Sequence, residues 1–228
     1  MQKALPFYDH LASIDAAINA TPPCPTLLIG ATGCGKSTQL PQHLLLSNPS
    51  CNMIVAQPRR LAAISLAARV SSELNSSLGT AVGYAVRGDT MTSSSTRITF
   101  VTYGLLLRML TARPLSCTHL LLDEVHERSA DLDLILLALK KASSVPPCFK
   151  TILMSATVDP KLFLDYLPTL NTVSVPGRAF PVDRFYLEHA LADVNYVCGP
   201  SSPYARAKPL TDRAPGGVDV IEMEIGEI

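Results

Sequence analysis

Residues 30–37 read Gly-Ala-Thr-Gly-Cys-Gly-Lys-Ser, which fits the pattern G-x-x-x-x-G-K-[ST]. An apolar run precedes this segment and a helical pattern follows it, which is the context in which such a loop binds phosphate groups. The glycines let backbone N–H groups turn towards phosphate oxygens, and the N-terminus of the following helix adds positive potential. Lys36 supplies a point charge and the Ser37 hydroxyl a ligand for Mg²⁺. We predict that nucleotide phosphates contact Gly30, Thr32, Gly33, Cys34, Gly35, Lys36, Ser37 and Thr38.

Two adjacent carboxylates, Asp123 and Glu124, follow the apolar run at residues 120–122. At the carboxyl end of a strand beside a phosphate-binding loop, such a pair can hold a metal ion and orient a water molecule for attack on phosphorus. We assign Asp123 to Mg²⁺ and Glu124 to the water, with Glu124 also a candidate metal ligand. An acidic pair after a strand is more often a helix cap or a solvated turn. The assignment therefore depends on the phosphate-binding motif.

The elements around these motifs alternate between short aliphatic or β-branched runs and longer helical patterns, which predicts a mostly parallel sheet covered by helices on both faces. Several runs lack polar alternation, as strands buried on both faces do. The predicted strands are residues 26–29, 53–57, 98–102, 120–123, 151–154 and 172–175. The predicted helices are residues 36–46, 61–74, 104–110, 131–142 and 160–167. The sequence therefore predicts an α/β fold.

Three local features depart from this regular pattern. Pro41 lies inside a predicted helix, where a proline normally introduces a kink. Residues 90–96 are Thr, Met and Ser only, which predicts a polar surface loop. From residue 199 on, Pro, Ser and Gly are frequent, and residues 219–228 carry acids but no base. This composition predicts a tail without a packed core.

The bulk composition restricts the classes of function. Net charge is zero across 228 residues, so binding to nucleic acid depends on particular arginines and not on overall charge. The six cysteines form no C-x-x-C pair, which argues against a zinc site or a redox dithiol. No signal peptide is recognisable, and the longest apolar run, residues 134–139, is too short to cross a bilayer. We expect an intracellular protein, cytoplasmic or nuclear, with no membrane partner.

The ordered motifs of the chain resemble those of DEAH/RNA helicase A-type members of helicase superfamily 2. The resembling segments are residues 30–42, 57–63, 83–87, 102–108, 123–129, 155–157 and 175–182. They stand in the order of that family and lie within residues 5–198. The resemblance implies a RecA-like P-loop NTPase lobe that binds ATP and Mg²⁺ on one edge. It also implies that a single nucleic-acid strand, with RNA favoured, binds across the top of the lobe.

The resemblance assigns roles to further residues. It implies that Arg69 faces the nucleotide base, although an exposed helix charge is equally compatible with that position. It implies that His126 bridges the ATP edge and a partner lobe. We count His126 as catalytic, together with Lys36, Asp123 and Glu124. Contacts to the strand backbone, which do not read bases, are implied for Arg59, Arg60, Thr102 and Gly104. Coupling of hydrolysis to strand movement is implied for Ser155, Ala156 and Thr157.

The chain departs from the family pattern at three positions. That family more often has Glu in place of Ala31, Ser or Ala in place of Cys34, and Thr in place of Tyr103. None of these departures removes a phosphate, metal or water-activating group. We find no counterpart of the second RecA-like lobe, which carries the arginine fingers in that family. We expect a RecA-like domain at residues 1–176, a linker segment towards such a lobe at 177–198, and a disordered, acidic-ended tail at 199–228.

Three functions are compatible with these motifs. The first is the ATP-binding lobe of an ATP-dependent RNA helicase, which alone would bind ATP but turn it over slowly. The second is a non-enzymatic module that binds nucleotide or RNA and acts through a protein partner. The third is an unrelated phosphate-loop ATPase, against which the Asp-Glu-Val-His and Ser-Ala-Thr segments argue. ATP turnover with and without RNA separates the first from the second.

Overall fold

Strands and helices alternate along the chain, as the sequence predicts. A computed structural model describes residues 5–22, 24–112, 114–142, 149–156, 160–167, 169–177 and 182–195. The strands are β1 (Thr26–Gly30), β2 (Met53–Gln57), β3 (Val82–Val86), β4 (Asp89–Met91), β5 (Ile98–Thr102), β6 (His119–Leu122), β7 (Lys150–Ser155) and β8 (Asn171–Val175). The α-helices are α1 (Leu11–Ile18), α2 (Lys36–Ser47), α3 (Arg60–Glu73), α4 (Tyr103–Ala112), α5 (Ala130–Ala142), α6 (Pro160–Tyr166) and α7 (Leu187–Asp193). Two 3-10 helices span Pro6–His10 and Val125–Glu127.

The eight strands form one sheet in the order β4-β3-β5-β2-β6-β7-β1-β8. Neighbouring strands are parallel except β3 and β4, which are antiparallel. The register places Gln57 beside Thr102 and Ile29 beside Ser155. Because parallel strands end at the same edge, the carboxyl ends of β5, β2, β6, β7 and β1 meet along one line. The segments that follow these strands contain the predicted site.

Alternate apolar side chains of the strands fill two cores, one on each face of the sheet. On one face, Val55 and Leu121 pack with residues of α1, α2 and α3. On the other face, Ile54 and Leu122 pack with residues of α4, α5 and α6. These four strand residues are at most 7% exposed, as expected for a sheet covered on both sides. The predicted α/β class, with a mostly parallel sheet between two helical layers, is confirmed.

The β3-β4 hairpin was not predicted from the sequence, and the predicted loop at residues 90–96 is wrong for its first two residues. Thr90 and Met91 belong to β4, where they pair with Ala85 and Tyr84 of β3. The sequence of these residues has no pattern typical of a strand. A short edge strand can form without such a pattern, because pairing with its neighbour stabilises it. Residues 92–96 form an exposed connection, as predicted, apart from the half-buried Thr96. The sequence analysis also missed α1 and α7 and the two 3-10 helices.

Helix α2 runs continuously through Pro41. A proline at this position removes a single backbone hydrogen bond, the one that would reach the Ser37 carbonyl four residues earlier. The side-chain amide of Gln42 donates to the Thr38 carbonyl at 3.0 Å, which adds a hydrogen bond in the same turn. The predicted disturbance therefore does not interrupt the helix that follows the phosphate-binding loop.

The chain divides into two compact units, Met1–Ala179 and Phe180–Ile228. Within the second unit, the described residues 182–195 contain α7, whose side chains are exposed or half-buried. The tail predicted at 199–228 and the coupling residue Thr157 lie outside the described residues, so these assignments and the predicted domain boundaries stay predictions. Within the described ranges, no helix combines the length and apolar character needed to cross a membrane.

Helix α2 offers a matched test of which face lies in the core. Leu40 is fully buried, whereas Leu46 is 71% exposed. We expect Leu40→Ala to lower the free energy of unfolding by about 2–5 kcal/mol, because it removes buried methyl groups and leaves a cavity. Leu46→Ala should change it by less than about 0.5 kcal/mol. Urea denaturation monitored by circular dichroism measures both, and equal losses would contradict this packing.

Candidate nucleotide and nucleic-acid site

The phosphate-binding loop, residues 30–38, connects β1 to α2. Gly35 has φ of 109°, a left-handed conformation that side chains rarely adopt, and Lys36 begins the helix. At Gly30 the backbone lies so close to its neighbours that an added Cβ would be 2.8 Å from the Cys34 sulfur. Thr32 and Gly33 are exposed at the tip, Cys34, Lys36 and Thr38 are buried, and Gly35 and Ser37 are half-buried. The predicted strand–loop–helix context of the motif is present.

Lys36 points into this loop and is 5% exposed. Its Nζ donates to the carbonyl of Gly30 and, at 3.3 Å, to the carbonyl of Ala31. It also lies 3.9 Å from the sulfur of Cys34. The ammonium group is therefore held inside the loop by backbone oxygens. A phosphate oxygen, which carries more negative charge than a carbonyl, can compete for these hydrogens.

Asp123 follows the end of β6 and is 1% exposed. One carboxylate oxygen accepts from the Gln57 side-chain amide at 2.6 Å, and the other from the Glu124 backbone N–H at 3.0 Å. The hydroxyl of Tyr103, also buried, donates to the Asp123 backbone carbonyl. Burial and the nearby carboxylates of Asp123 and Glu124 raise the pKa of Tyr103, which keeps this donor protonated. The groups that hold Asp123 in place are therefore all uncharged.

Glu124 lies at the turn after β6 in a left-handed conformation, with φ of 59°. A non-glycine residue in this region is strained by about 1–3 kcal/mol, and such strain is frequent at functional sites. Burial and the charge of Asp123 raise the pKa of Glu124, against the opposing charges of His126 and Lys36. The charge of Lys36 therefore acts on Glu124 across the sheet edge. The phosphate-binding loop and the two acids follow β1 and β6, which end at the same edge of the sheet with β7 between them.

His126 lies between Glu124 and the end of β7. Its Nδ1 is 3.4 Å from a carboxylate oxygen of Glu124 and accepts from the Ala156 backbone N–H at 3.4 Å. The nitrogen can accept the amide hydrogen only when it carries no proton, whereas an ion pair with Glu124 requires one. Ser155 is fully buried, and its hydroxyl has no hydrogen-bond partner among the described residues. His126 therefore connects the acidic pair to the predicted coupling residues.

The predicted strand-binding residues lie at the same edge of the sheet. Arg59, 74% exposed, precedes α3 and donates to the carboxylate of Glu127 at 2.9 Å. Arg60 donates to the Arg87 carbonyl at 2.7 Å. Thr102 ends β5 next to Gln57, and Gly104 lies in the first turn of α4. Both arginines are exposed, so phosphates of a nucleic-acid strand can reach them after displacing their present partners.

Arg69, the predicted base contact, lies on α3 and is 64% exposed in its side chain. Its Nε donates to Glu73 at 2.9 Å. The carboxylate of Glu73 also accepts from Gln39 at 2.9 Å and from Gln42 at 2.6 Å, both on α2. Arg69 is thus connected to the helix that begins at Lys36. Its predicted contact with the nucleotide base stays a prediction.

Sequence reasoning missed several residues that support the site. Gln57 was predicted to end a strand and to begin a segment resembling the family, with no role for its side chain, yet it holds the carboxylate of Asp123. Glu127 was not expected to hold Arg59, and Phe7, fully buried, donates its backbone N–H to the Cys34 carbonyl at 3.3 Å. The contact of Gln57 with Asp123 depends on the adjacency of β2 and β6, which the sequence does not show. The N-terminal contact joins residues 27 positions apart and left no local signal.

The opposite pKa shifts of two glutamates give a test of the site's electrostatics. The raised pKa of Glu124 means that its contribution to stability is present below its ordinary pKa of about 4.3 and is lost as the pH rises through the folded value. We therefore expect Glu124→Gln to be more stable than the parent at pH 7, with a difference that shrinks on acidification. Urea denaturation between pH 4 and pH 8, with a chelator present, measures it.

Glu73 is the internal control for this experiment. Burial alone would raise the pKa of Glu73, but hydrogen bonds from Arg69, Gln42 and Gln39 outweigh burial and lower it. Its contribution to stability is therefore present above its ordinary pKa and is lost as the pH falls. Glu73→Gln should destabilise the protein most at neutral pH. If both substitutions showed the same dependence on pH, the electrostatic description of Glu124 would be wrong.

Comparison with known proteins agrees with this geometry. The sequence model of the family described as DEAD/DEAH box helicase matches residues 12–163. The chain is 44% identical over 189 residues to human DHX57, covering 79% of this chain and 14% of that protein. It is 42% identical over 175 residues to the DExH-box ATP-dependent RNA helicase DExH1 of Arabidopsis thaliana, and the match covers 73% of this chain and 18% of that protein. Human ATP-dependent RNA helicase DHX30 is 40% identical over 188 residues, and the match covers 78% of this chain and 16% of that protein.

The chain therefore spans less than a fifth of the length of each of these relatives. The matched residues include the phosphate-binding loop, the acidic pair and both predicted strand-binding segments. The mostly parallel sheet between two helical layers is the fold expected of a RecA-like helicase domain. With the family sequence model covering most of the first compact unit, this chain belongs to the DEAD/DEAH box helicase family.

Proposed function

We propose that this chain is the ATP-binding lobe of an ATP-dependent RNA helicase, in which ATP hydrolysis drives movement along a single strand. The observation that carries the proposal is the convergence of three neighbouring strand ends. β1 leads into the loop that holds Lys36, β6 into Asp123 and Glu124, and β7 ends at Ser155. A phosphate group, a metal ion and an attacking water need to meet in one place, and this edge supplies groups for all three.

The groups on the described residues fit ATP with Mg²⁺. The oxygen ligands preferred by Mg²⁺ are available as the Ser37 hydroxyl and the carboxylate of Asp123, with Glu124 a further candidate. When bound, the ion neutralises negative charge on the β- and γ-phosphates. Lys36 and the loop N–H groups contact the same phosphates from the protein side. Gln57 keeps the carboxylate of Asp123 in place without neutralising it, so the charge remains available for a cation.

Glu124 is the residue that would orient the attacking water and accept its proton. Its raised pKa makes it a stronger proton acceptor than an ordinary exposed carboxylate, because general bases work best when their pKa approaches the working pH. Movement of the proton to Glu124 changes its attraction to His126, whose Nδ1 also contacts the Ala156 N–H. This chain of contacts is a route by which the ATP edge and the segment starting at Ser155 respond to each other.

Binding of RNA would use backbone phosphates, since the candidate residues are arginines, a threonine hydroxyl and a glycine on an exposed edge. Arg59 and Arg60 follow β2, whereas Thr102 ends β5 and Gly104 follows it. These two strands are neighbours in the sheet. Exposed ion pairs contribute only about 0–1 kcal/mol, so phosphates can replace Glu127 as the partner of Arg59. Contacts of this kind position a strand without reading its sequence. One lobe contacts few phosphates, so we expect weak binding with a shallow dependence on salt, and the zero net charge adds no long-range attraction.

Substitution of Lys36 tests the nucleotide site. We expect Lys36→Ala to abolish detectable binding of Mg²⁺–ATP, because it removes the one buried ammonium group in the loop. The matched control is Lys140→Ala, since Lys140 lies on α5 with its ammonium 4.1 Å from the centre of the Tyr166 ring. Isothermal titration calorimetry measures both affinities. Unchanged ATP affinity in a folded Lys36→Ala protein would exclude the proposed site.

Substitution of Glu124 separates binding from chemistry. We expect Glu124→Gln to bind ATP at least as tightly as the parent and to hydrolyse it about 10²–10⁴-fold more slowly, because the amide cannot accept the proton of water. Release of labelled phosphate with the protein in excess over ATP measures slow turnover. If parent and variant release phosphate at the same rate, Glu124 is not the base, and a non-enzymatic nucleotide-binding role gains support.

Substitution of Glu127 tests the proposed RNA surface, because it should increase the affinity for single-stranded RNA. Glu127→Gln frees Arg59 and should raise affinity for single-stranded RNA about two- to fivefold, whereas Arg59→Ala should lower it. The charge-matched control is Asp133→Asn, which removes the same charge but frees Arg128, the residue next to Glu127, instead of Arg59. Fluorescence anisotropy with a labelled single-stranded RNA, repeated over a range of salt concentrations, measures all three. Equal gains from Glu127→Gln and Asp133→Asn would show a general charge effect only.

A further inference from the structure

Tyr103, the first residue of α4, extends its side chain across the edge of the sheet. The side chain is buried, and its hydroxyl donates to the backbone carbonyl of Asp123. Tyr103 follows β5 and Asp123 follows β6, with β2 between these two strands. Neighbouring strands lie about 4.8 Å apart, so β5 and β6 are about 10 Å apart. A threonine, which the resembling family more often has at this position, is too short for the contact, so it depends on the tyrosine of this chain.

The carbonyl that Tyr103 contacts belongs to the peptide unit between Asp123 and Glu124. The N–H of the same unit donates to the carboxylate of Asp123 at 3.0 Å. Both polar groups of this peptide unit are therefore held by side chains, one from α4 and one from Asp123 itself. Because a peptide unit is planar, holding its C=O and its N–H fixes its orientation. That orientation sets the direction in which the chain continues through Glu124.

Glu124 needs this support because its φ of 59° lies in the left-handed region. A non-glycine residue keeps such a conformation only where the surrounding structure holds it. The first turn of α4 also meets the segment after Glu124 at a second point, since a Cβ added to Gly104 would be 3.2 Å from the carboxylate of Asp131. The start of α4 therefore contacts both ends of the segment that contains Glu124.

We propose that Tyr103 is a positioning residue for ATP hydrolysis: its hydroxyl holds the Asp123–Glu124 peptide so that the carboxylate of Glu124 faces the attacking water. The inference rests on the proposed function, in which Glu124 accepts the proton of that water. The carboxylate of Asp123 has a separate support, the hydrogen bond from Gln57. Loss of the Tyr103 hydroxyl therefore slows the chemical step and leaves the binding of Mg²⁺–ATP unchanged.

The test compares Tyr103→Phe with Tyr84→Phe as a matched control. Tyr84 is also buried, and its hydroxyl donates to Asp89 of the β3-β4 hairpin at 3.1 Å. Release of labelled phosphate is measured without RNA, with the protein in excess over ATP and at several protein concentrations. We expect Tyr103→Phe to lower the maximal rate about 5- to 50-fold and to change the half-saturating concentration less than about twofold. Tyr84→Phe should change neither quantity.

Two further measurements separate positioning from a role in stability. In the double variant, Tyr103→Phe should add nothing to the slow rate of Glu124→Gln, because it acts through the carboxylate of Glu124. Hydrogen exchange of the Glu124 amide, followed by NMR, reports directly on the peptide unit. We expect this exchange to be at least about 10²-fold slower in the parent than in an unstructured peptide, and about tenfold faster in Tyr103→Phe than in the parent.

The alternative is that Tyr103 only stabilises the fold. In that case Tyr103→Phe, measured at a temperature at which it is fully folded, would release phosphate at the rate of the parent, and the inference would be overturned. Equal slowing in Tyr84→Phe, or a further loss on top of Glu124→Gln, would overturn it as well.

The exchange measurement on the parent decides the question if Tyr103→Phe fails to fold. Slow exchange of the Glu124 amide supports the inference, and exchange as fast as in an unstructured peptide overturns it. Failure of the proposed function has a different signature: the parent would release no phosphate, or Lys36→Ala would leave the affinity for ATP unchanged, while the Glu124 amide stays protected.

Discussion

The site depends on one buried charge, the carboxylate of Asp123. At 1% exposure it has lost nearly all contact with water, which costs several kcal/mol unless other groups replace the lost hydrogen bonds. The replacements are the Gln57 amide and the Glu124 N–H, both neutral donors. An arginine or lysine in place of Gln57 would satisfy the same carboxylate but would also cancel its charge. Neutral donors stabilise the carboxylate and still leave a net negative charge at the end of β6 for a cation.

This requirement explains features of the surrounding edge. Gln57 can reach Asp123 only because β2 and β6 are adjacent and parallel, with Ala56 in register with Leu122. Tyr103 starts α4 after β5, on the other side of β2, and its hydroxyl anchors the backbone of Asp123. The strained turn at Glu124 then directs the second carboxylate out of the core. Burial therefore distinguishes two acids that are adjacent in sequence: the carboxylate of Asp123 is buried and held in place, whereas that of Glu124 is half-buried.

Much of the fold and of the site was predictable, for reasons that differ between elements. The phosphate-binding loop was predictable because its chemistry requires particular residues at consecutive positions, with glycine at the left-handed Gly35. The parallel strands were predictable from their uninterrupted apolar runs. The β3-β4 hairpin was not, because β4 has three residues and depends on pairing with β3. The contacts of Gln57 and Glu73 were also hidden, since each joins side chains more than thirty positions apart.

The ion pair of Arg59 with Glu127 brings the two proposed ligand surfaces close together. Glu127 ends the three-residue 3-10 helix that starts directly after Glu124, and its charge contributes to the raised pKa of that residue. If RNA binds as proposed, a phosphate that pairs with Arg59 would leave Glu127 without that partner and would change the electrostatic surroundings of Glu124. Linkage requires the converse: if RNA binding alters the affinity for ATP, ATP alters the affinity for RNA by the same factor. An exposed pair suits this exchange because its low net strength makes it easy to replace, whereas the buried contacts of Asp123 hold the other end of the same segment in place.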